Sequence, residues 1–452
     1  MNTFVENAFV LKIIDSFKSL YEKEGFKKYF KNTSWLFLEK GLRLISGIVV
    51  GALVARFLGP EKFGMLNYAM SFVGLFLAFS TLGLDSIVVR ELVKSPSDQK
   101  IILGTAFRLK IIAAFVVLLA LLLSCYLMQE ELVLTLMILV IGVSAIFQSF
   151  NVIDFYFQST VQSKYVVYSN IISLSISAII KLLLIFWNAN LFYFAAVFTF
   201  DLFIVAIGLV YHYTKSGNSI FKWEYSKQKA QELMAYSWPL ILASVVVTIY
   251  MKIDQIMINE MLSSEANGNY AAAVRISEAW YFIPMVLSSS LFPAILNAKE
   301  RKDSSYLSRM QQLYDFMVIV SLAIAIPVTF LGDWIIQFLY GSEYIESAKV
   351  LVIHIWAGIF VSLGIASSSW LISENLQRIS MLRTSLGAVV NILLNFWLIP
   401  KYGIIGASLT TLVSQITAAW LFDLFYKQTR DTFVMKLKSL FLINTFKRII
   451  KL

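Results

Sequence analysis

The chain has 452 residues, of which 58% are hydrophobic and only 15% are charged, and its formal net charge is +10. Soluble globular proteins contain roughly 45–50% apolar and about 25% charged residues, so this composition excludes an ordinary soluble fold. The basic residues cluster between apolar stretches, which indicates membrane orientation and argues against nucleic acid as a partner. With one cysteine and two histidines, the sequence predicts no intrachain disulfide, no metal site and no cofactor.

The first predicted segment is a basic N-terminal stretch, residues 1–33, which contains six lysines and lacks the long apolar core of a signal peptide. Within it, FVLKIIDSFKSLY (9–21) places apolar residues at helical spacing. The pattern predicts an amphipathic helix on the cytoplasmic leaflet, and an ordinary cytosolic cap helix is the alternative.

Twelve apolar stretches then follow, each long enough to cross a hydrocarbon core of roughly 30 Å as a helix. Their predicted limits are 34–57, 65–88, 103–127, 132–153, 166–187, 191–212, 236–258, 269–294, 311–331, 348–372, 381–399 and 403–426. Lysine and arginine are frequent in the terminal segments and even-numbered connections, whereas the odd-numbered connections carry only Lys62, Lys349 and Lys401. The positive-inside rule therefore places both termini in the cytoplasm of a multi-pass membrane protein.

The longest inner connection divides the spans into two sets of six. We predict an N-terminal six-helix bundle at 34–212, a cytoplasmic linker at 213–235, a C-terminal six-helix bundle at 236–426 and a basic cytoplasmic tail at 427–452. The tail is interpreted either as a second interfacial helix or as a docking segment for a cytoplasmic glycosyltransferase.

The two halves also resemble each other weakly in their first outer hairpins. FLGPEKFGMLNYA (57–69) aligns without gaps to MLSSEANGNYAAA (261–273) at a constant offset of 204, matching Gly64 with Gly268. Chance similarity between short hairpins is the alternative. If the repeat is real, the halves are related by an axis along the membrane normal, an arrangement that typically places a substrate cavity between halves that rock.

Ionisable residues inside the spans are the candidates for function, because a charge in the bilayer usually faces a cavity or a partner. We predict five substrate-binding cations, Arg43, Arg90, Lys181, Lys252 and Arg275, and three ion-coupling groups, Glu39, Asp85 and Asp254. Glu39 and Arg43 are four residues apart and share one helix face. At each position, a charge pair that only holds helices together is the structural alternative.

These charges are expected at two depths of one cavity. Arg43, Asp85 and Arg90 are predicted at its inner mouth, and Lys181, Lys252 and Arg275 in its outer half. Lys252 and Asp254 point to different sides of their helix, so each requires its own partner.

Two further residues lie deep in their spans, Asp201 and His354. His354 is interpreted as a helix-packing histidine or, as the alternative, a proton carrier.

Six stretches, in order, carry a family resemblance: GALVARFLGPEKFGMLNYAMSF, TLGLDSIVVREL, SWPLILASVVVTIYMKIDQIMI, NYAAAVRISEAW, LYGSEYIESAKVL and IPKYGIIGASLTTLVS. In these the chain resembles the bacterial polysaccharide and O-antigen flippases of the multidrug/oligosaccharidyl-lipid/polysaccharide (MOP) exporter superfamily. The resemblance implies two six-helix bundles forming a V around a central cavity. It further implies transport of undecaprenyl-pyrophosphate-linked oligosaccharides, contacted by cavity cations, and the use of cation gradients.

The resulting functional hypothesis is a flippase in the bacterial cytoplasmic membrane. It would move O-antigen, capsule or exopolysaccharide repeat units from the inner to the outer leaflet by alternating access, among membrane lipids and with a polymerase or glycosyltransferase as a further partner. The alternative is a multidrug or cation exporter of the same superfamily, for which an acidic cavity is expected. The short outer connections argue against a membrane glycosyltransferase or polymerase, and the protein is predicted not to be an enzyme.

Overall fold

The computed structural model describes residues 24–443 with the exception of residues 302, 304 and 305. The predicted amphipathic helix at 9–21 and the end of the basic tail lie outside these residues. The described chain consists of α-helices joined by short turns and 3-10 segments. The helices are α1 (Glu24–Ser80), α2 (Asp85–Lys94), α3 (Gln99–Met128), α4 (Leu132–Gly142), α5 (Ser144–Gln148), α6 (Val152–Ser159), α7 (Lys164–Phe186), α8 (Leu191–Lys215), α9 (Lys227–Met261), α10 (Ser264–Ala279), α11 (Phe282–Glu300), α12 (Tyr306–Tyr340), α13 (Ile345–His354), α14 (Ala357–Ser373), α15 (Gln377–Ala419) and α16 (Arg430–Leu440).

Two of these helices are each broken at a glycine that lies within three residues of a proline. In α1 the break lies at Gly59, with φ 71° and ψ 169°, immediately before Pro60. In α15 it lies at Gly403, with φ 58° and ψ −142°, three residues after Pro400. Proline removes a helical N–H donor, and glycine accepts the positive φ that a reversal requires. Each long helix is therefore two segments joined at a tight turn.

These breaks decide the number of spans. In the described part of the chain, nine helices are long and apolar enough to cross a membrane, and a pair bent by 46° makes ten. Two of the nine, Ser34–Lys94 and Gln377–Leu424, contain 61 and 48 residues, about twice the length of one span. Division at Gly59 and Gly403 would raise ten to the predicted twelve, whereas length and composition establish nine or ten in the described residues.

Helices α1 and α10 contact each other through the two aligned hairpins. A Cβ on Gly64 would collide with the carbonyl oxygen of Ser264, and a Cβ on Gly268 would collide with that of Pro60. In the alignment, Pro60 is equivalent to Ser264 and Gly64 is equivalent to Gly268. The contact of Gly64 with Ser264 and the contact of Gly268 with Pro60 are therefore the same contact seen from the two halves. Such close backbone approach requires glycine at both positions.

A second reciprocal pair of contacts joins α1 to α9 and to α10. The Ser71 hydroxyl donates to the Gln255 side-chain oxygen at 2.8 Å, and the Arg275 guanidinium lies against Gly51. At the same offset, Gly51 is equivalent to Gln255 and Ser71 is equivalent to Arg275. Reciprocal contacts of this kind are what a two-fold relation between the halves requires, so they support the repeat.

The predicted outer ends of the halves are also in contact. The Tyr344 hydroxyl donates to the Ala55 carbonyl at 2.8 Å, and the Arg56 guanidinium donates to the carbonyls of Gln337, at 3.2 Å, and Phe338. These bonds join the end of the first span to the C-terminal end of α12 and to the turn that follows it. The two halves are therefore closed together on this side.

The start of the basic tail is bound to the C-terminal half. The Lys436 ammonium on α16 is fully buried and donates to the Asp423 carboxylate and the Ala419 carbonyl, both at 2.7 Å. Thr432 donates to the same carboxylate at 3.0 Å. Helix α16 therefore packs on protein, which differs from the interfacial position considered for the tail.

Candidate substrate cavity

A cavity of about 180 Å³ lies among α1, α7, α8 and α10. It is lined by residues of both halves of the chain: Arg43, Ser46, Gly47, Val50, Gly51, Val54, Phe63, Leu66, Asn67, Met70, Leu174, Ser177, Ala178, Lys181, Phe194, Phe198, Asp201 and Arg275. Most of this lining is apolar or small. The charged side chains therefore determine which ligand chemistry the cavity can accept.

Three of the five predicted cations meet here, namely Arg43, Lys181 and Arg275. Arg275 crosses from the C-terminal half, and its guanidinium lies 5.6 Å from the centroid of the Phe63 ring. A Cβ on Gly51 would lie 2.5 Å from its Nη1, so a glycine at position 51 leaves room for the guanidinium.

The Arg43 side chain extends from α1 into the cavity. Its Nε donates a hydrogen bond to the carboxylate of Glu39, which lies one turn earlier on the same helix. The Nε–Oε1 distance is 2.8 Å, and the two side chains share one helix face as the spacing predicts. Glu39 is buried, whereas about half of the Arg43 side chain is exposed. The arginine therefore keeps its other nitrogen donors available to a ligand.

Lys181 and Asp201 enter the cavity from α7 and α8. Serines at positions 169, 173 and 177 precede Lys181 at four-residue spacing and are buried toward the neighbouring helices. The Ser173 hydroxyl bonds the Asp201 carboxylate and the Asp201 carbonyl, the latter at 2.7 Å. Asp201 thus stands in the same cavity as the three cations.

Asp85 and Arg90 lie elsewhere. The Asp85 carboxylate is 3.8 Å from the ammonium of Lys110, a buried lysine on α3 that also faces the Phe155 ring at 5.2 Å. Arg90 pairs with Glu91 at 3.1 Å and lies over the Tyr236 ring. Neither residue lines the cavity, and neither has a hydrogen bond or an ion pair to Arg43.

Asp254 occupies a second, much smaller cavity of about 20 Å³ in the C-terminal half. Its buried carboxylate accepts hydrogen bonds from Tyr270 at 2.8 Å, Thr411 at 2.6 Å and Asn395 at 2.6 Å. The side-chain amide of Asn395 also donates a hydrogen bond to the side-chain oxygen of Asn391, one turn earlier, at 3.2 Å. A buried carboxylate surrounded by neutral oxygen and amide groups, with a second carboxylate, Glu278, lining the same cavity, suits a small cation or a proton.

The remaining predicted residues are His354 and Lys252. His354 lines the second cavity together with Glu278, a carboxylate that was not predicted from the sequence, whereas the partly buried Lys252 is not among the lining residues. His354 Nδ1 lies 2.8 Å from the buried Ser277 hydroxyl, which fits the interpretation of a packing histidine. In the described residues no group of three or more His, Cys, Asp or Glu side chains is arranged to hold a metal ion.

Sequence reasoning missed several of these residues for identifiable reasons. Lys110 stands with Arg108 inside the predicted span 103–127, and its position in that span was the available signal. Asn391, Asn395 and Thr411 are neutral, so hydropathy gives no signal for them. The four-residue spacing of the two asparagines in VVNILLNFWLIP was the available indication that they share a face.

The arrangement of the helices is similar to that of solved membrane transporters. The chain is similar to the lipid II flippase MurJ in an inward closed conformation, with a TM-score of 0.68 and 17% identity over 92% of this chain and 93% of that one. It is also similar to an inward-facing MATE-family multidrug resistance transporter, with a TM-score of 0.65 and 12% identity over 90% of this chain and 96% of that one.

The family follows from the sequence matches. The family model described as "Polysaccharide biosynthesis protein" matches residues 29–299, more than half of the chain, and the chain belongs to that family. The MatE model matches residues 239–397. The predicted resemblance to polysaccharide flippases is therefore confirmed.

Two full-length relatives are both remote in sequence. The capsular polysaccharide biosynthesis protein CapF of Staphylococcus aureus is 21% identical over 413 residues, which cover 88% of this chain and 99% of CapF. A putative O-antigen transporter of Shigella flexneri is 20% identical over 88% of this chain and 97% of its own. The probable flippase Agl15 of Haloferax volcanii is 24% identical over 42% of this chain and 40% of its own.

Proposed function

We propose that the protein moves undecaprenyl-pyrophosphate-linked oligosaccharide from the inner to the outer leaflet of a bacterial cytoplasmic membrane. The observation that carries this proposal is the convergence of Arg43, Lys181 and Arg275, from three helices and both halves, on one cavity. The relatives named for capsule, O-antigen and glycan biosynthesis support the substrate class.

The energetic need for such a cavity follows from the head group. Polar and ionised groups cost several kcal/mol each when they enter hydrocarbon without partners. Arginine is suited to phosphate because its planar guanidinium donates two parallel hydrogen bonds to one anion. Two arginines and one lysine against the single carboxylate Asp201 leave the cavity cationic, while the prenyl chain remains in lipid.

We further propose alternating access between the halves 34–212 and 236–426, with both termini in the cytoplasm. Arg275 belongs to the C-terminal half yet lines a cavity formed mainly by the N-terminal half. Separation of the halves would therefore withdraw one of the three cations from the substrate. This withdrawal would weaken head-group binding on the side where release occurs.

Asp254 is our primary candidate for ion coupling, because its buried, hydrogen-bonded carboxylate suits a cation or a proton. Glu39 and Asp85 remain secondary candidates on the strength of their sequence positions. Arg90 and Lys252 stay predicted substrate contacts, although neither lines the larger cavity. At an inside-negative potential, outward movement of each net negative charge gains about 2.3 kcal/mol per 100 mV, so the coupling depends on how far protein cations neutralise the substrate.

Export of cationic drugs is the second candidate function, since the MatE model matches residues 239–397. A cavity that binds organic cations needs an excess of acidic groups, and the 180 Å³ cavity has three cations and one carboxylate. The charge balance therefore favours an anionic substrate.

The test is leaflet exchange in liposomes that contain the purified protein and a fluorescent undecaprenyl-pyrophosphate oligosaccharide, read by quenching from outside. Arg43→Gln should slow exchange at least about tenfold, the loss expected when a hydrogen bond to a charged group is removed. Arg378→Gln is the matched control, because Arg378 is exposed and does not line the cavity. Equal exchange by both variants, or dye export without lipid exchange, would reject the proposal.

A further inference from the structure

Asp201 is the single carboxylate in the described lining of the cationic cavity. No ion pair within 4.0 Å joins it to Arg43, Lys181 or Arg275. A carboxylate in a site for pyrophosphate repels the ligand, so simple neutralisation of a neighbouring cation would be better achieved by a close pair. The charge of Asp201 acts on Lys181 at longer range, and without a close cationic partner the carboxylate can also accept hydrogen bonds from a ligand.

The carboxylate is held in a fixed position. Its side-chain hydrogen bond comes from Ser173, which is 1% exposed and also bonds the Asp201 backbone. Two turns along α8, a Cβ on Gly208 would lie 2.6 Å from the Ser169 hydroxyl oxygen, so α7 and α8 pack closely here. Rigid neighbours of this kind orient a recognition group before the ligand arrives.

The groups around Asp201 suit a carbohydrate. Asn67 lines the same cavity and donates its amide N–H to the Phe63 carbonyl at 2.7 Å, which leaves its own side-chain oxygen to accept from a ligand. Phe194 and Phe198 supply apolar ring surface. A carboxylate and an amide oxygen beside aromatic rings can accept hydrogen bonds from several hydroxyls while the apolar face of a sugar packs on a ring.

The size of the cavity limits which part of the substrate it reads. Pockets that enclose drug-sized ligands measure roughly 300–1,000 Å³, whereas this cavity measures about 180 Å³. An oligosaccharide of several sugars exceeds that volume. The cavity therefore encloses only a part of the head group, and the sugar next to a pyrophosphate held by the three cations is the one nearest to Asp201.

We propose that Asp201, oriented by Ser173, is a specificity-determining residue that accepts hydrogen bonds from hydroxyl groups of the sugar attached to the pyrophosphate. This inference rests on the proposed function and assigns the cations to the pyrophosphate and Asp201 to the glycan. Distal sugars then contribute little to selection. Asp201 repels the pyrophosphate of both lipids, but only the glycolipid has hydroxyls whose hydrogen bonds to the carboxylate offset this repulsion, so Asp201 favours the glycolipid.

The experiment compares exchange of undecaprenyl pyrophosphate without sugar and with one glucose, galactose or N-acetylglucosamine, in liposomes of constant composition. The measured quantity is the exchange rate of the preferred glycolipid divided by that of the sugar-free lipid. Asp201→Asn should lower this ratio about tenfold or more, as expected for lost hydrogen bonds to a charged acceptor. Ser173→Ala keeps the charge but frees the carboxylate, and should lower the ratio by a smaller factor.

Asp333→Asn is the matched control, because Asp333 is an exposed aspartate at the end of α12 and should leave the ratio unchanged. An unchanged ratio in Asp201→Asn, or a wild-type ratio of one for all three sugars, would overturn the inference while the flippase itself stands. If Asp201→Asn does not fold, Ser173→Ala decides, and an unchanged ratio rejects the assignment. Failure of the wild type to exchange any lipid, long oligosaccharides included, would instead reject the proposed function.

Discussion

Substitution of Gly51 by alanine tests how closely transport depends on the position of Arg275. The added Cβ would lie 2.5 Å from Arg275 Nη1, so the guanidinium must move by about 0.9 Å to restore an ordinary contact of 3.4 Å. The clashing atoms are the flexible end of a side chain, so the helix itself is not strained. Glycine to alanine inside a helix also stabilises by roughly 0.5–1 kcal/mol.

The expected result combines unchanged or higher stability with slower transport. A displacement of about 1 Å in a positioned group can cost up to roughly a hundredfold in rate, and we expect Gly51→Ala to slow exchange about tenfold or more. Thermal unfolding in detergent and lipid exchange in liposomes measure the two effects separately. Gly41→Ala is the control, because Gly41 lies on the same helix, outside the cavity, and has nothing within 4 Å of its Cβ position.

Two outcomes would refute this reasoning. If Gly51→Ala exchanges lipid at the wild-type rate, the guanidinium position seen here is not the one used for the substrate. If Gly51→Ala lowers the unfolding temperature by several degrees, the alanine strains the packing of α1 and α10, and the slower rate cannot be assigned to Arg275.

The other predictions concern the hairpin contact, the second cavity and the tail. Gly64→Ala places a Cβ against backbone, so it should cost more than about 1 kcal/mol of stability or shift the halves apart, which cross-linking across the outer ends would report. Asp254→Asn removes the buried charge, and lipid exchange should then no longer respond to an imposed proton or sodium gradient; a retained response would remove Asp254 from coupling. Lys436→Met leaves Asp423 as an unpaired buried charge, and should destabilise by about 3–5 kcal/mol in denaturation. Burial lowers the pKa of Lys436 to about 8 in the folded protein, below its value in the unfolded chain. The free energy of unfolding of the wild type should therefore rise between pH 8 and about 10.5. This rise should be absent in Lys436→Met.

The membrane class and the span pattern could be predicted from the sequence because hydropathy and charge bias are properties of contiguous residues. The reversals at Gly59 and Gly403 were also readable, since each glycine stands close to a proline. The contact between Gly64 and Ser264 could not be predicted from the sequence. The alignment of the two hairpins shows that they are similar, but it does not show which surfaces are in contact. The structure adds that these equivalent positions touch each other reciprocally.

The candidate site was predictable only in part. Arg43, Lys181 and Arg275 could be selected singly from the cost of a charge in the bilayer. Their meeting in one cavity depends on how α1, α7 and α10 pack, and sequence spacing carries no information about that packing. Asp85 illustrates the limit, because its partner is Lys110 on a neighbouring helix and not the Arg43 group.

The central claim is that the substrate head group passes through the cavity formed by α1, α7, α8 and α10. The most direct measurement is photo-cross-linking with an undecaprenyl-pyrophosphate glycan that carries a diazirine on the sugar, followed by mass spectrometry of the labelled peptides. The account predicts labels within residues 43–70, 174–181 and 194–201, reduced by excess unlabelled substrate and by Arg43→Gln. Labels confined to lipid-facing residues, or to the surroundings of Asp254, would contradict it.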